Sequence, residues 1–161
     1  ARDKDAIVSS LLIAEMAAFY NSKGTSIYKE LQKLYQEFGY YLEGIKSVTL
    51  TGKDGIEKMA NLMTELRETV KDRTIDKNIK IKRDFKTKKE LIVATGEEKD
   101  ILLPVENVIQ FVLEDDTYIT ARPSGTEPKI KFYFSVNAPT KEEVEKKLNE
   151  TMEKFVATLK L

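Results

Sequence analysis

The residues best suited to chemistry in this chain lie together in Arg122-Pro123-Ser124-Gly125-Thr126-Glu127-Pro128-Lys129-Ile130-Lys131. Pro123 fixes its own φ and biases Arg122 towards extended geometry. Ser124-Gly125-Thr126 offers two hydroxyls and three consecutive backbone N–H groups. Gly125 is free to take φ > 0, which lets successive N–H groups converge on an anion. Pro128 restricts the exit from the loop and biases Glu127 away from helix. Arg122 brings a planar fork matched to phosphate oxygens. Lys131, one strand step past the loop, is expected to bring its ammonium to the same anion. The chemistry is anion binding. Pro, Ser and Gly are also ordinary turn residues, so on composition alone the same residues describe a tight surface turn with a charged border.

Other chemistries are excluded by what the chain lacks. It has no histidine and no cysteine, which removes Ser-His-Asp triads, thiol nucleophiles, disulfides and His- or Cys-ligated metals. Proton transfer would fall to Asp, Glu, Lys or Tyr. The acidic pairs Glu97-Glu98, Asp115-Asp116 and Glu142-Glu143 read as turn or helix-start residues, where solvated charge is ordinary. No metal site or acid–base dyad is assigned to them. Lys+Arg and Asp+Glu balance at 27 each, so no global field draws the chain to nucleic acid or membrane. Any anion site must be local. No apolar run approaches the roughly 20 residues of a membrane-spanning helix. The most apolar stretch, Ser9 to Tyr20, contains Glu15 and lacks a basic leader. It reads as a packed helix and not a signal peptide. The expected location is cytoplasmic.

The loop must be held by elements, and the sequence proposes them. Its 161 residues suffice for one ordinary domain, or for about 110 residues plus an appended piece. Residues 4 to 20 carry Ile7, Leu11, Leu12, Ala14, Met16, Ala18 and Phe19 on a broad apolar helical face. Asp3 or Asp5 can cap it. Thr25 or Ser26 caps a second helix with Ile27, Leu31, Leu34, Tyr35 and Phe38 at helical spacing. The contact between two such helices leaves apolar faces wanting a partner. From Ile45 the pattern changes to a short strand at Ser47 to Thr51, then a third helix with Ile56, Met59, Met63 and Leu66 on one side. Strands are expected at 79–85, 90–94, 108–113, 118–122 and 130–136, with Lys71 to Asn78 as a loop. Asp115-Asp116 occupies a hairpin turn. Alternation is cleanest at Ile130, Phe132, Phe134 and Val136, with Lys131, Tyr133 and Ser135 opposite. Thr140 and Glu143 have capping-box spacing for a last helix striped by Val144, Leu148, Met152, Phe155 and Leu159. The expectation is an α+β architecture, an antiparallel sheet with helices packed on one face. The boundary falls near residue 44, with Glu43 to Lys46 as a hinge pivoting on Gly44.

The ordered decapeptide is far more specific than its composition. It resembles the C-terminal signature of the α-D-phosphohexomutase family, which includes phosphoglucomutases and phosphomannomutases. The family pattern is Arg-x-Ser-Gly-Thr, a short spacer, then a basic residue in the next strand. Here those positions are Arg122, Ser124, Gly125, Thr126 and Lys131. Many relatives have arginine where this chain has Lys131. Glu127-Pro128-Lys129-Ile130-Lys131 looks closest to the phosphoglucomutase/phosphopentomutase-like branch. The segment Arg2-Asp3-Lys4-Asp5-Ala6 is also similar to one that opens the closing helices of the family's third domain.

That resemblance implies a fold, a role and a set of partners. Residues 1–44 would be the closing helices of a truncated third α/β domain, and 45–161 a TATA-binding-protein-like fourth domain. In the family the fourth-domain loop grips the substrate phosphate that is not being transferred. The implied phosphate ligands are Arg122, Ser124, Gly125, Thr126 and Lys131. Lys4 would touch substrate only beside a sugar-recognition loop, and otherwise reads as a solvated first-turn side chain. The implied parent is an intramolecular phosphotransferase interconverting hexose 1- and 6-phosphates, using Mg2+ and a phosphoserine. Segments matching the family's phosphoserine, metal and sugar loops are missing here. The chain is therefore expected to hold no catalytic residue, cofactor or metal, to be inactive alone, and to need the N-terminal mutase domains as partners. Its ligands would be glucose 1-phosphate and glucose 6-phosphate or similar phosphosugars. Self-association through the exposed helical faces is also expected.

Two rivals remain. A non-enzymatic phosphosugar-binding module could share the loop. A nucleic-acid-binding domain could use Lys77, Lys80, Lys82, Arg83, Lys86, Lys88 and Lys89, interleaved with Ile79, Ile81 and Phe85. An edge strand protected by lysines accounts for that cluster more simply. Neither nucleic acid nor membrane is an expected partner.

Overall fold

A computed structural model describes residues 4–52, 54–68 and 79–159. Arg2, Asp3, Lys77 and the expected loop at 71–78 lie outside the described residues. The chain divides into two compact units, Ala1–Tyr40 and Tyr41–Leu161.

The first unit contains α1 (Ala6–Ser22) and α2 (Ile27–Phe38). Asp5 caps α1 by accepting from the Val8 N–H at 2.9 Å. Ser26 caps α2 by accepting from Lys29 at 3.3 Å. These contacts satisfy backbone donors that have no helical partner. Neither helix buries a residue fully. Ile7 is 76% and Leu11 66% exposed.

The second unit is built on a seven-stranded sheet in the order β1-β7-β6-β5-β2-β3-β4. The strands are β1 (Tyr40–Thr49), β2 (Ile79–Asp84), β3 (Lys89–Ile92), β4 (Glu97–Asp100), β5 (Ile109–Leu113), β6 (Tyr118–Pro123) and β7 (Lys129–Ala138). Two helices complete it, α3 (Gly55–Glu68) and α4 (Lys141–Ala157). β6 pairs antiparallel with both β5 and β7, and β2 antiparallel with both β5 and β3. The expected α+β class is what the chain adopts.

Alternation assigns the two faces. Phe132 and Phe134 on β7 lie level with Ala121 and Ile119 on β6, which lie level with Ile109 and Phe111 on β5. All are buried. Phe155 of α4 meets Phe132 and Phe134 edge-on, at centroid distances of 5.3 and 5.7 Å. Such pairs add roughly 0.5–1.5 kcal/mol each beyond area burial. α3 joins the same face at its C-terminal end. Arg67 lies 3.3 Å from the Asp84 carboxylate, and Lys82 donates to the Arg67 carbonyl at 2.6 Å. Both helices therefore cover one face of the sheet, and the opposite face is polar.

Three expectations are corrected. The residues read as a hinge, Glu43 to Lys46, lie inside β1. A Cβ on Gly44 would approach Met152 Sδ to 2.7 Å and Leu148 Cδ1 to 3.1 Å, so this glycine admits α4 and is no pivot. The lysine-rich β2 is internal, between β5 and β3. Its charges are matched by neighbours: Lys80 with Asp116, Arg83 with Glu90. Finally, Glu97-Glu98 lies in β4, an added strand whose register places Glu98 opposite Leu91. Asp115-Asp116 does form the β5–β6 turn, with Asp116 at φ 57 and its N–H donating to Leu113 at 3.0 Å.

Candidate phosphate-binding site

The candidate loop, residues 124–128, joins β6 to β7. Strand pairing places Arg122 directly opposite Lys131, and Pro123 opposite Ile130. Ile130 is buried under the helices, so Arg122 and Lys131 stand on the polar face. Both are exposed. With Pro123, Ser124, Gly125 and Tyr133 they line a pocket of about 260 Å3. Two cations opposite each other in one ladder repel, and an anion between them relieves that repulsion.

The loop is tied at both shoulders. The Ser124 N–H donates to the Lys129 carbonyl at 2.7 Å, and the Lys129 N–H to the Glu127 carbonyl at 2.7 Å. The Leu50 N–H, just after β1, donates to the Pro128 carbonyl at 2.8 Å. Ser124 Oγ accepts from the N–H groups of Thr126 and Glu127 at 3.4 and 3.3 Å. These two bonds are long and weak. An anion with better-placed oxygens can replace them at little cost.

One site expectation changes. Gly125 is not among the glycines with positive φ, so a left-handed nest is not how this loop offers its donors. A Cβ there meets nothing within 4 Å, and the space beside it is open. Thr126 does not line the pocket with Arg122, Ser124, Gly125 and Lys131; its amide turns to Ser124. Lys4 is exposed and lies in the other unit.

Lys129 and Glu127 pair at 2.7 Å. That hydrogen bond first, then the charges of Lys129 and Lys131, holds the Glu127 carboxyl below the usual glutamate range. The pairing occupies Lys129 and leaves Arg122 and Lys131 as the cations of the pocket.

Sequence reasoning missed Tyr133 and what lies beyond it. A second cavity of about 840 Å3 adjoins on the same face, lined by Glu43, Tyr118, Thr120, Tyr133 and Ser135 among others. Alternation placed Tyr133 on the polar face, but only strand register brings it beside the loop. Among the described residues no group of three acidic side chains could hold a metal ion, and no helix is long and apolar enough to cross a membrane.

No protein-family model matches the chain. Individual relatives do. A phosphoglucomutase of Staphylococcus haemolyticus is 33% identical over 143 residues, covering 89% of this chain and 26% of the relative. That of Staphylococcus aureus is 34% identical over 148 residues, covering 92% and 27%. That of Staphylococcus epidermidis is 32% identical over 151 residues, covering 94% and 28%. The chain thus spans about a quarter of the length of the curated relatives it matches. Among solved structures, the Paramecium exocytosis-sensitive phosphoprotein pp63/parafusin, a phosphoglucomutase in its open form, aligns over 80% of this chain and 23% of its own. The TM-score is 0.42 and the identity 16%.

Proposed function

The chain belongs to the phosphohexomutase family of which the phosphoglucomutases are members, and on that premise we propose that its Arg122–Lys131 loop grips the phosphate of a phosphosugar. The carrying observation is the cross-strand pair Arg122 and Lys131 at the mouth of a pocket shared with Ser124 and Gly125. The guanidinium supplies a bidentate fork, the ammonium a mobile charge, and Ser124 a hydroxyl. Thr126 contributes its N–H once that group leaves Ser124 Oγ. These groups recognise phosphate and little else, as a site that must hold either end of a hexose phosphate in turn requires.

In this reading the chain is the C-terminal part of a cytoplasmic mutase. It orients substrate through the phosphate that stays put, and that remote binding energy positions the reacting end. Phosphoryl transfer belongs to a phosphoserine and Mg2+ held by other domains. In this reading no step through the metal falls to this chain. Alone it is inactive as a mutase. Lys4 could meet substrate only when a sugar-recognition loop is present beside it. A self-contained phosphosugar-binding module is the second reading, supported by the same pocket.

Titration with glucose 1-phosphate and glucose 6-phosphate, followed by amide NMR, tests the proposal. Binding is expected on the order of millimolar, since other domains would supply most contacts. Shifts should centre on Ser124, Gly125 and Thr126. Arg122→Ala should weaken binding roughly tenfold, as loss of at least one charge-assisted hydrogen bond requires. Shifts that bypass these residues, or survive the substitution unchanged, overturn the assignment.

A further inference from the structure

One row of polar side chains crosses the open face of the sheet in register. Lys99 on β4 pairs with Glu90 on β3, Glu90 with Arg83 on β2, and Arg83 with Gln110 on β5. Gln110 pairs with Thr120 on β6, and Thr120 with Tyr133 on β7. Much of the row is joined by hydrogen bonds. Arg83 Nε meets Glu90 Oε2 at 2.6 Å and its Nη1 donates to Gln110 Oε1 at 2.9 Å. Gln110 Nε2 in turn donates to Thr120 Oγ1 at 3.0 Å. Arg83 donates to both sides, and from it the donors run outward through Gln110, so the Thr120 hydroxyl accepts from Gln110 and keeps its own hydrogen to donate elsewhere. Side chains fixed beforehand lose little freedom on binding a ligand.

The row ends at Tyr133, which lines both the phosphate pocket and the larger cavity beside it. Along β6, Thr120 is two residues from Arg122, about 7 Å at the usual strand rise, and Tyr118 about 13 Å. The larger cavity therefore begins one phosphate ester away from the cation pair. Its lining combines hydroxyls from Thr120, Ser135 and two tyrosines with the Gln110 amide and the apolar Ile45 and Phe134, and Glu43 is its one charged residue. A carboxylate bars a second anion and accepts well from hydroxyl groups. Tyrosine rings add flat apolar surface between the polar tips. The size falls within the range of small-ligand sites.

We propose that this cavity is a carbohydrate platform, taking the hydroxylated ring of a ligand whose phosphate sits between Arg122 and Lys131. The platform rests on the phosphate reading of the loop and adds to it. This part of the chain then contributes to sugar recognition as well as to phosphate grip, with Glu43, Thr120 and Ser135 holding ring hydroxyls.

Amide NMR with two probes separates the platform from the loop. Inorganic phosphate should shift Ser124, Gly125 and Thr126 alone. Glucose 6-phosphate should shift those and also Thr120, Tyr133 and Ser135, and bind roughly fivefold more tightly than inorganic phosphate. The double substitution Glu43→Gln with Ser135→Ala should remove that advantage and leave inorganic phosphate binding unchanged. Both residues lie at the sheet surface, and the wild-type shift map stands whether or not the variant folds. Identical shift patterns and affinities for the two probes overturn the platform while the phosphate site stands. Silence at Ser124 to Thr126 with inorganic phosphate sinks the phosphate reading, and the platform with it.

Discussion

The Leu50 N–H donates to the carbonyl of Pro128 at 2.8 Å, which ties the end of β1 to the far shoulder of the phosphate loop. Gly55, at the start of α3, sits against both partners. A Cβ there would lie 2.2 Å from the Leu50 carbonyl oxygen and 3.1 Å from Pro128 Cβ. The loop is thus seated on a backbone contact that only glycine permits.

Gly55→Ala should break that seat. The clash is with backbone, which cannot swing aside as a side chain can, so the cost falls at the upper end of the ~1–3 kcal/mol typical of overpacking. The Leu50 amide should exchange faster with solvent, the melting temperature should fall by several degrees, and phosphate should bind more weakly. Unaltered exchange at Leu50 in a folded variant would show that the loop does not depend on this contact.

Gly44→Ala asks the same question of softer neighbours. The atoms in the way are Met152 Sδ and the Leu148 methyls, ends of side chains that can repack. The expected destabilisation is about 1 kcal/mol, smaller than for Gly55→Ala, with phosphate affinity unchanged. Chemical denaturation of the two variants side by side gives the order. A cost at Gly44 equal to or above that at Gly55 contradicts this account of both glycines.

What could be read beforehand followed periodicity, and what could not followed pairing. Ile130, Phe132, Phe134 and Val136 alternate because one face of β7 is covered by α4, and all are at most 1% exposed. β4 left no such trace. Glu97, Glu98, Lys99 and Asp100 are all exposed, and the strand exists through its backbone bonds to β3. Gly44 looked like a pivot because a missing side chain reads the same whether it grants freedom or close approach. At the site, the loop's residue types were legible, but the opposition of Arg122 and Lys131 is a register between strands. Thr120 and Tyr133 are ordinary surface residues until that register places them beside the anion pocket.

Acid should act on the loop through Glu127. Its pKa is lowered by the hydrogen bond from Lys129 and by the charges of Lys129 and Lys131. A carboxyl with a depressed folded-state pKa stabilises the fold above its unfolded value, and that contribution is lost as pH falls through the depressed one. At neutral pH the pair is intact. Side-chain carbon NMR should give Glu127 a titration midpoint below that of glutamate in an unstructured peptide, and Lys129→Gln should raise it. A midpoint at the peptide value, indifferent to Lys129, would remove the pairing. Glu127→Gln should also raise phosphate affinity up to about twofold at low salt, an effect that added salt screens.

The helices of the first unit supply the last prediction. α1 places Ile7, Leu11, Leu12, Ile13 and Phe19 at the surface, each more than half exposed, and α2 adds Leu34 and Phe38. Apolar patches of this kind are rarely left bare, and a second copy of the chain presents the same surface in turn. Light scattering should show a mass that rises with concentration. Ile7→Glu together with Leu11→Lys places an acid four residues before a base on α1, a pairing that supports the helix as it removes apolar surface. The variant should keep its helical circular dichroism and stay monomeric. A wild-type chain that remains monomeric at high concentration rules out this association.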